Sequence, residues 1–236
     1  MAYIYSKNAV REAILNNISI KHIYTSDLNN DIAQLAKKKN LSLIYKDNKE
    51  LSKMISEKNA KIQGVVCEIQ EYKYYPLEEL LEKKGKYPFL VMLDSLEDPH
   101  NLGAILRTCD AANVDGVIIP KNRSVSLNDT VAKVSTGAIE YVKVASVTNL
   151  NQTIEKLKDL GYWIVGAEYD ENSKFYTELK YDMPICLVIG SEGKGISSLV
   201  KKNCDFLVKI PMLGHVNSLN ASVSASILIY EIIKYR

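Results

Sequence analysis

Polar residues that can hold or orient a reacting group are concentrated in three short segments of this 236-residue chain. The last of them, residues 210–222, places Asn217, Ser218 and Asn220 almost side by side where an apolar helical pattern begins. Asn217 or Ser218 is expected to cap that helix, because their side chains accept hydrogen bonds from the free amides of a first turn. Asn220 lies further into the turn, so it serves a cap less obviously and a ligand contact is the alternative.

The first segment, residues 93–113, follows an apolar strand pattern that ends at Asp94. Pro99 interrupts the chain, Asn101 opens a helical pattern, and Arg107 lies on a later turn. The simpler interpretation makes Asn101 the N-cap and Arg107 a surface cation. The alternative is that both belong to a site.

The second segment, residues 187–197, has three glycines within six positions, which lets the backbone approach a ligand closely. Its spacing excludes a P-loop, a hydrolase nucleophile elbow and the dinucleotide fingerprint, which would need glycine where Ser198 stands. A bare turn is still possible. A turn alone, however, does not require Glu192 between two glycines.

The elements that must position these segments alternate between strand and helix from Phe89 onward. Continuous apolar strands bounded by helices predict a parallel sheet covered on both faces. Ligands of such sheets bind at the carboxyl ends of the strands. Since all three segments follow predicted strands, we expect them to line one pocket.

A smaller α/β unit is predicted for residues 1–70, ahead of a domain at residues 88–236. Between them, residues 71–87 are rich in Lys, Glu and Tyr and contain Pro76 and Gly85. This composition predicts a linker with a short helix near residues 77–83.

The composition is that of an ordinary globular protein, with 47% hydrophobic residues, 25% charged residues and a net charge of +2. The start of the chain lacks signal-peptide character and no apolar stretch is long enough to span a bilayer, so we expect a cytoplasmic protein without a membrane partner. Four cysteines lie far apart without a C-x-x-C pair, and only three histidines are present. Buried thiols are therefore expected rather than a zinc site or disulfides.

Taken together, the three segments resemble the signature motifs of the SpoU class of RNA 2′-O-ribose methyltransferases. The matching stretches are NLGAILRT (101–108), IGSEGKG (189–195) and IPMLGHVNSLNAS (210–222). DPHNLG (98–103) and PKNRSVSLN (120–128) are similar, more narrowly, to the bacterial branch that modifies a guanosine of large-subunit ribosomal RNA. That branch carries an N-terminal ribosomal-protein-like substrate-binding module, and residues 1–69 fit its size and element order.

The resemblance implies an α/β fold with a deep C-terminal trefoil knot, a homodimer, an RNA substrate, and S-adenosylmethionine as methyl donor with no metal. It also implies roles for nine residues. Active-site side chains would be those of Asn101, Arg107, Glu192, Ser218 and Asn220, and the cofactor would be held by the backbone of Gly190, Ile210 and Leu219, with Gly137 nearby.

Methyl transfer to a ribose 2′-OH requires that the proton be drawn away as the oxygen attacks, because the hydroxyl is a very weak acid. Arg107 stays protonated in proteins, so we expect it to grip the adjacent phosphate bidentately and fix the ribose. The phosphate, or a transiently polarised Arg107, would receive the proton. Glu192 and Asn101 would orient Arg107 and the ribose, and the motif leaves Asn217 open as the true helix cap.

Two departures concern the N-terminal module: Ser6 stands where the branch usually has glycine, and Ile62 where it usually has histidine. They leave the chemistry intact, but with them the resemblance does not determine the exact RNA site. Lys7, Arg11, Lys21 and the lysine run 37–39 are expected to contact phosphates. Three alternatives remain: the same chemistry on transfer RNA or another ribosomal nucleotide, a non-catalytic RNA-binding protein, and a dinucleotide-dependent oxidoreductase.

Overall fold

The computed structural model describes residues 2–16, 18–55, 61–82 and 85–236. The chain divides into two compact units, Met1–Tyr72 and Lys73–Arg236. The boundary lies inside the stretch predicted to be a linker. Residues 73–82 of that stretch belong to the second unit, because the helix Leu77–Leu80 buries Leu80 in its core.

The first unit has, among its described residues, a four-stranded sheet of order β1-β4-β2-β3. Strand β4 is antiparallel to β1 and to β2, while β2 and β3 are parallel. The elements in chain order are β1 (Ala2–Tyr5), α1 (Lys7–Leu15), β2 (Ile20–Thr25), α2 (Asp31–Lys38), β3 (Leu43–Tyr45), α3 (Asn48–Met54) and β4 (Val65–Ile69).

Helices α1 and α2 cover one face of this sheet because each has an apolar stripe. Val10 and Ile14 of α1, with Ile32 and Ala36 of α2, are buried together in one core. Ser6 caps α1 and has φ of 79°, a left-handed conformation that favours glycine. Ser6 thus adopts a backbone conformation that glycine takes more readily than serine.

The second unit is a seven-stranded sheet, within its described residues, of order β7-β6-β5-β10-β8-β11-β9, and each pairing is parallel. Its strands are β5 (Phe89–Leu93), β6 (Gly116–Pro120), β7 (Val144–Val147), β8 (Trp163–Ala167), β9 (Lys174–Phe175), β10 (Ile185–Ile189) and β11 (Phe206–Lys209). Its helices are α4 (Leu77–Leu80), α5 (Pro99–Ala111), α6 (Asp129–Val134), α7 (Leu150–Asp159), α8 (Ser198–Lys202) and α9 (Ala221–Ile232), with short 3₁₀ helices at Ala138–Glu140 and Ile233–Tyr235.

Helices cover both faces of this sheet, as the apolar strands predict. On one face Leu90 and Met92 of β5 share a core with Ile154 and Leu157 of α7. On the other face α5 and α9 pack against each other, α5 against β6 and α9 against β10. The predicted parallel α/β sheet is confirmed, whereas β1, β7, β9 and α6 fall where the sequence predicts no element.

Candidate active site

The ends of four adjacent strands form the floor of the site. In the sheet, β5, β10, β8 and β11 are neighbours in that order and run parallel. The residues immediately after them are Asp94, Gly190, Glu168 and Ile210. Parallel strands carry all of these residues to the same edge of the sheet, which is where ligands of such sheets bind.

Glu192 connects the three polar segments. Its Oε1 accepts a hydrogen bond of 2.8 Å from Nδ2 of Asn101 and one of 2.6 Å from Nδ2 of Asn220. Asn101 is 91 positions before Glu192 and Asn220 is 28 after it. The expectation that the three segments meet is therefore fulfilled at these residues.

Asn101 is held in place by the start of α5. The N-cap of this helix is Asp98, whose Oδ1 accepts from the backbone N of His100 at 2.9 Å, and Pro99 takes the first helical position. Asn101 is only 3% exposed and sits inside the first turn. Its interpretation as an N-cap is thus wrong, and its amide is free to donate to Glu192.

Asn220 is the N-cap of α9. Its Oδ1 accepts from the backbone N of Ser222 at 2.9 Å and from that of Val223 at 3.4 Å. The expectation that Asn217 or Ser218 caps this helix is wrong. Because the carbonyl of Asn220 faces the free helix amides, its NH₂ group is turned towards Glu192.

The loop that carries Glu192 is a tight hairpin. Ser191 and Gly195 exchange two backbone hydrogen bonds, of 3.1 and 3.0 Å. A Cβ added to Gly190 would collide with the backbone of Gly195 and Ile196, so only glycine fits this crossing. Gly195 has φ of 65° and no room beside the carboxylate of Glu168. The glycines thus fix the position of Glu192.

A cavity of about 710 Å³ opens beside this hairpin. It is within the range of about 300–1,000 Å³ that small-molecule sites occupy. Among the predicted residues, the cavity is lined by Gly190, Glu192, Ile210, Ser218, Leu219 and Asn220. Glu168, Tyr169, Lys194, Lys209 and Asn217 line it as well without having been predicted as site residues. The position of Glu168, directly after an apolar strand, is a signal that could have found it.

Two predicted residues lie elsewhere. Arg107 is exposed on α5, six residues after Asn101, which corresponds to about 9 Å along the helix and about 120° around it. Within the described residues its guanidinium makes no hydrogen bond or ion pair. Gly137 precedes the 3₁₀ helix Ala138–Glu140 and does not line the cavity.

An ion pair at Asp170, the neighbour of the cavity-lining Tyr169 in the chain, and a half-buried thiol at Cys204 belong to the same unit as the cavity. Lys201 Nζ lies 2.7 Å from Asp170 Oδ2, and this hydrogen bond lowers the pKa of Asp170 and raises that of Lys201. Burial raises the pKa of Cys204 to about 12.

In the described part of the chain, no group of three or more His, Cys, Asp or Glu residues is placed to hold a metal ion. No helix there has the length and apolar character needed to cross a membrane.

Comparison with known proteins identifies the family. The SpoU rRNA Methylase family matches residues 88–230. The chain belongs to this family. A second family, RNA 2′-O ribose methyltransferase substrate binding, matches residues 3–75. The SpoU domain and the substrate-binding region thus correspond closely to the two compact units.

Similar proteins match either nearly the whole chain or about two thirds of it. A Staphylococcus haemolyticus protein assigned to the TrmH family of tRNA/rRNA methyltransferases is 49% identical over 99% of this chain and 95% of its own length. The solved structure of the A. aeolicus TrmH/SpoU tRNA modifying enzyme is 32% identical and superposes with a TM-score of 0.60, over 68% of this chain and 80% of its own.

The fold also matches a solved structure across both units. The AdoMet-bound rRNA methyltransferase from Sinorhizobium meliloti superposes with a TM-score of 0.65, covering 99% of this chain and 87% of that one. At 23% identity this likeness shows the fold alone. The predicted membership of the SpoU methyltransferases and the predicted α/β architecture are confirmed.

Proposed function

We propose that this SpoU family member transfers a methyl group from S-adenosylmethionine to a ribose 2′-OH of large-subunit ribosomal RNA, at a guanosine. One observation carries the proposal: Glu192 accepts hydrogen bonds from both Asn101 and Asn220 at the rim of a cavity at the carboxyl ends of parallel strands. A structural turn would not need a carboxylate that joins three distant segments. A site for a polar reaction does.

The cavity suits S-adenosylmethionine in size and in lining. Its volume of about 710 Å³ accommodates a nucleoside with an amino-acid chain. The backbone at Gly190, Ile210 and Leu219 offers donors and acceptors to the adenosine and methionine parts, while Leu228 adds an apolar wall. When bound, this cofactor supplies a methyl group already activated by a sulfonium leaving group, so the reaction needs no metal.

The chain's own residues then have to orient the ribose and accept its proton. Arg107 has no hydrogen-bond or ion-pair partner among the residues that the structure describes, so its guanidinium would be available to grip an RNA phosphate bidentately. This contact would align the 2′-oxygen with the methyl group and place a phosphate oxygen where the hydroxyl proton can go. Glu192 holds the amides of Asn101 and Asn220 in one orientation, and Ser218 lines the cavity between cofactor and RNA.

Ribosomal RNA is favoured over transfer RNA because of the N-terminal unit. That unit matches the substrate-binding family, whereas the similarity to the A. aeolicus tRNA modifying enzyme covers only 68% of the chain. Lys7, Arg11 and Lys21 of the N-terminal unit would contact phosphates, which predicts salt-sensitive RNA binding. Methylation of transfer RNA is the second candidate, since the name of the S. haemolyticus relative, a TrmH family tRNA/rRNA methyltransferase, includes both kinds of RNA.

The trefoil knot and the homodimer are part of the same proposal. Strand β11 is separated from β5 by two strands, yet the next helix, α9, returns to pack against α5. Residues 210–220 must therefore cross back over the strand ends, as threading through a knot requires. Exposed apolar side chains on and before α9, such as Leu213 (96% exposed) and Tyr230, are suited to a dimer contact.

The direct test is methyl transfer from labelled S-adenosylmethionine to ribosomal and transfer RNA, with calorimetric binding of the cofactor measured alongside. Arg107→Ala should abolish transfer while cofactor binding survives, and Arg107→Lys should recover little because the bidentate contact is lost. Asp110→Ala, an exposed substitution on the same helix, is the matched control. Full activity of Arg107→Ala would refute the role assigned to this residue.

The substrate is tested by mapping ribose methylation across all ribosomal and transfer RNAs in cells with and without the protein. Loss of one guanosine 2′-O-methyl mark in large-subunit RNA is the expected result. Loss of a mark in transfer RNA alone would support the second candidate instead. Binding of NAD in place of S-adenosylmethionine would overturn the proposal as a whole.

A further inference from the structure

Two carboxylates from neighbouring strands hold the loop that carries Glu192. Asp94 follows β5, and its Oδ2 accepts a hydrogen bond of 2.7 Å from the backbone N of Ser197. Glu168 follows β8, and its Oε2 accepts one of 3.0 Å from the backbone N of Ile196. Strands β5 and β8 flank β10 on either side. The loop after β10 is therefore held by hydrogen bonds to residues that follow both neighbouring strands, at the consecutive amides of Ile196 and Ser197.

Asp94 is a buried carboxylate, and each of its two oxygens accepts a hydrogen bond. It is only 4% exposed, and its second oxygen accepts from the hydroxyl of Ser95 at 3.0 Å. A carboxylate can be buried only when donors compensate its lost hydration, and here the donors are one hydroxyl and one loop amide. Ser197 is the N-cap of α8 and makes no side-chain capping bond, and Asp94 accepts the hydrogen bond of its backbone amide from a distant strand.

Glu168 makes the corresponding contact at the edge of the cavity. It is one of the cavity-lining residues, and its carboxylate fills the space beside Gly195. Ile196, whose amide it accepts from, is buried. Removal of Glu168 would leave that amide without its acceptor and open space beside the hairpin.

The hairpin formed by residues 190–195 connects the two held amides to Glu192. Gly190 is fixed against Gly195 by close backbone contact, and Ser191 and Gly195 close the hairpin by two hydrogen bonds. Glu192 therefore lies inside a closed hairpin that leads directly into residues 196 and 197, whose amides the two carboxylates hold. If that end shifts, the oxygen that Asn101 and Asn220 share shifts with it.

We propose that Asp94 and Glu168 form a carboxylate clamp, that is, a pair of positioning residues that holds Glu192 in its working geometry. The loop-ordering part of the inference stands on the observed hydrogen bonds alone, and its effect on catalysis rests on the proposed function. The clamp works through hydrogen-bond acceptance rather than through charge. An amide side chain of equal length should therefore replace either carboxylate, and alanine should not.

The first experiment measures hydrogen–deuterium exchange of the full chain without ligand, resolved to single amides at residues 190–198. Glu168→Ala should speed exchange of the Ile196 amide by about tenfold or more, since a lost hydrogen bond exposes that group, and Asp94→Ala should do the same at Ser197. Glu168→Gln and Asp94→Asn should restore protection to within about threefold. Glu171→Ala, which removes an exposed carboxylate from the loop that follows Glu168, is the matched control. Unchanged protection at both amides would overturn the clamp.

The second experiment separates positioning from general stability. Glu168→Ala should lower kcat about tenfold at saturating RNA and cofactor with KM for RNA unchanged, and Glu168→Gln should recover most of that loss. In a Glu192→Ala background, Glu168→Ala should lower kcat no further, because the two residues act as one unit. Independent, multiplicative losses would overturn the coupling to Glu192, as would failure of Gln to recover activity while thermal unfolding stays as in the wild type.

The two experiments also separate this inference from the proposed function. If the wild type neither binds S-adenosylmethionine nor methylates RNA, the proposed function fails, and the exchange measurements still decide whether Asp94 and Glu168 order the loop.

Discussion

The hydrogen bond between Asn101 and Glu192 should contribute more to stability than the shorter one between Asn220 and Glu192. Distance alone would make the bond from Asn220 the stronger one, since its Nδ2 lies 2.6 Å from Glu192 Oε1 and that of Asn101 lies 2.8 Å away. Burial favours Asn101, which is 3% exposed, whereas Asn220 is open to water that can replace the carboxylate as a partner. Since a buried donor left without an acceptor costs about 1–3 kcal/mol, burial should decide the order.

Double-mutant cycles measure the two couplings separately. We expect about 1.5 kcal/mol for the cycle of Asn101→Ala with Glu192→Ala, the lower end of the range for a hydrogen bond to a charged group. For Asn220→Ala with Glu192→Ala we expect about 0.5 kcal/mol, as for other exposed contacts. The loss of the α9 cap on replacing Asn220, itself about 1 kcal/mol, enters both arms of that cycle and cancels.

Urea unfolding followed by the fluorescence of Trp163 is the appropriate assay. Trp163 is the chain's single tryptophan, lies in β8 and stacks on Phe206, so it reports unfolding of the second unit. A coupling for Asn220 equal to or above that for Asn101 would refute the reasoning from burial. Two couplings below about 0.3 kcal/mol would show that Glu192 does not hold these amides at all.

Three further predictions concern stability and reactivity. Gly190→Ala should destabilise the second unit by about 1–3 kcal/mol in the same urea assay, because its Cβ meets backbone, whereas Gly214→Ala, whose Cβ meets nothing, should not. The hydrogen bond from Tyr24 is the main cause that lowers the pKa of Glu68, and burial followed by that bond raises the pKa of Tyr24 from 10.0 to about 12. The stability that Glu68 and Tyr24 contribute should therefore be full between about pH 4.5 and pH 10. It should fall as the pH drops through the lowered pKa of Glu68, and fall again as the pH rises from 10 to about 12. Thermal melts of Tyr24→Phe across this range should show shallower acid and alkaline limbs than the wild type, because Lys21 still lowers the pKa of Glu68 and Tyr162, whose pKa burial raises to about 12, still titrates; limbs identical to the wild type would contradict the assignment. All four thiols are free and burial raises the pKa of each, so a thiol reagent at pH 8 should modify them slowly in the folded protein and fully in urea; rapid modification of the folded protein would contradict this.

The architecture could be predicted because hydrophobic patterning is local. Continuous apolar runs such as Ile185–Ile189 and Phe89–Leu93 can be read directly as buried parallel strands, and both are present with those bounds. Strand β7 and helix α6 escaped prediction. Val144–Val147 has only four residues and Asp129–Val134 is a helix of six, so each repeats its pattern at most about twice, which does not stand out from the surrounding loops.

The residues that cap α5 and α9 could not be predicted from the sequence. Asp98, Asn101, Asn217, Ser218 and Asn220 are all of types that favour an N-cap, and sequence alone could not rank them. In the structure Asp98 and Asn220 take the caps, which leaves Asn101 for Glu192. The choice depends on where each helix enters the sheet, because a cap side chain must face its own first turn.

By itself the sequence determined the strand-and-helix order, the polar residues at the strand ends, and the three motifs that mark a SpoU methyltransferase. Only the tertiary structure decided that one oxygen of Glu192 serves both Asn101 and Asn220, and that Asp94 and Glu168 hold the loop between them. The physical reason is the order of the strands. Strand β10 comes late in the chain but lies between β5 and β8, and no local pattern specifies which strands become neighbours.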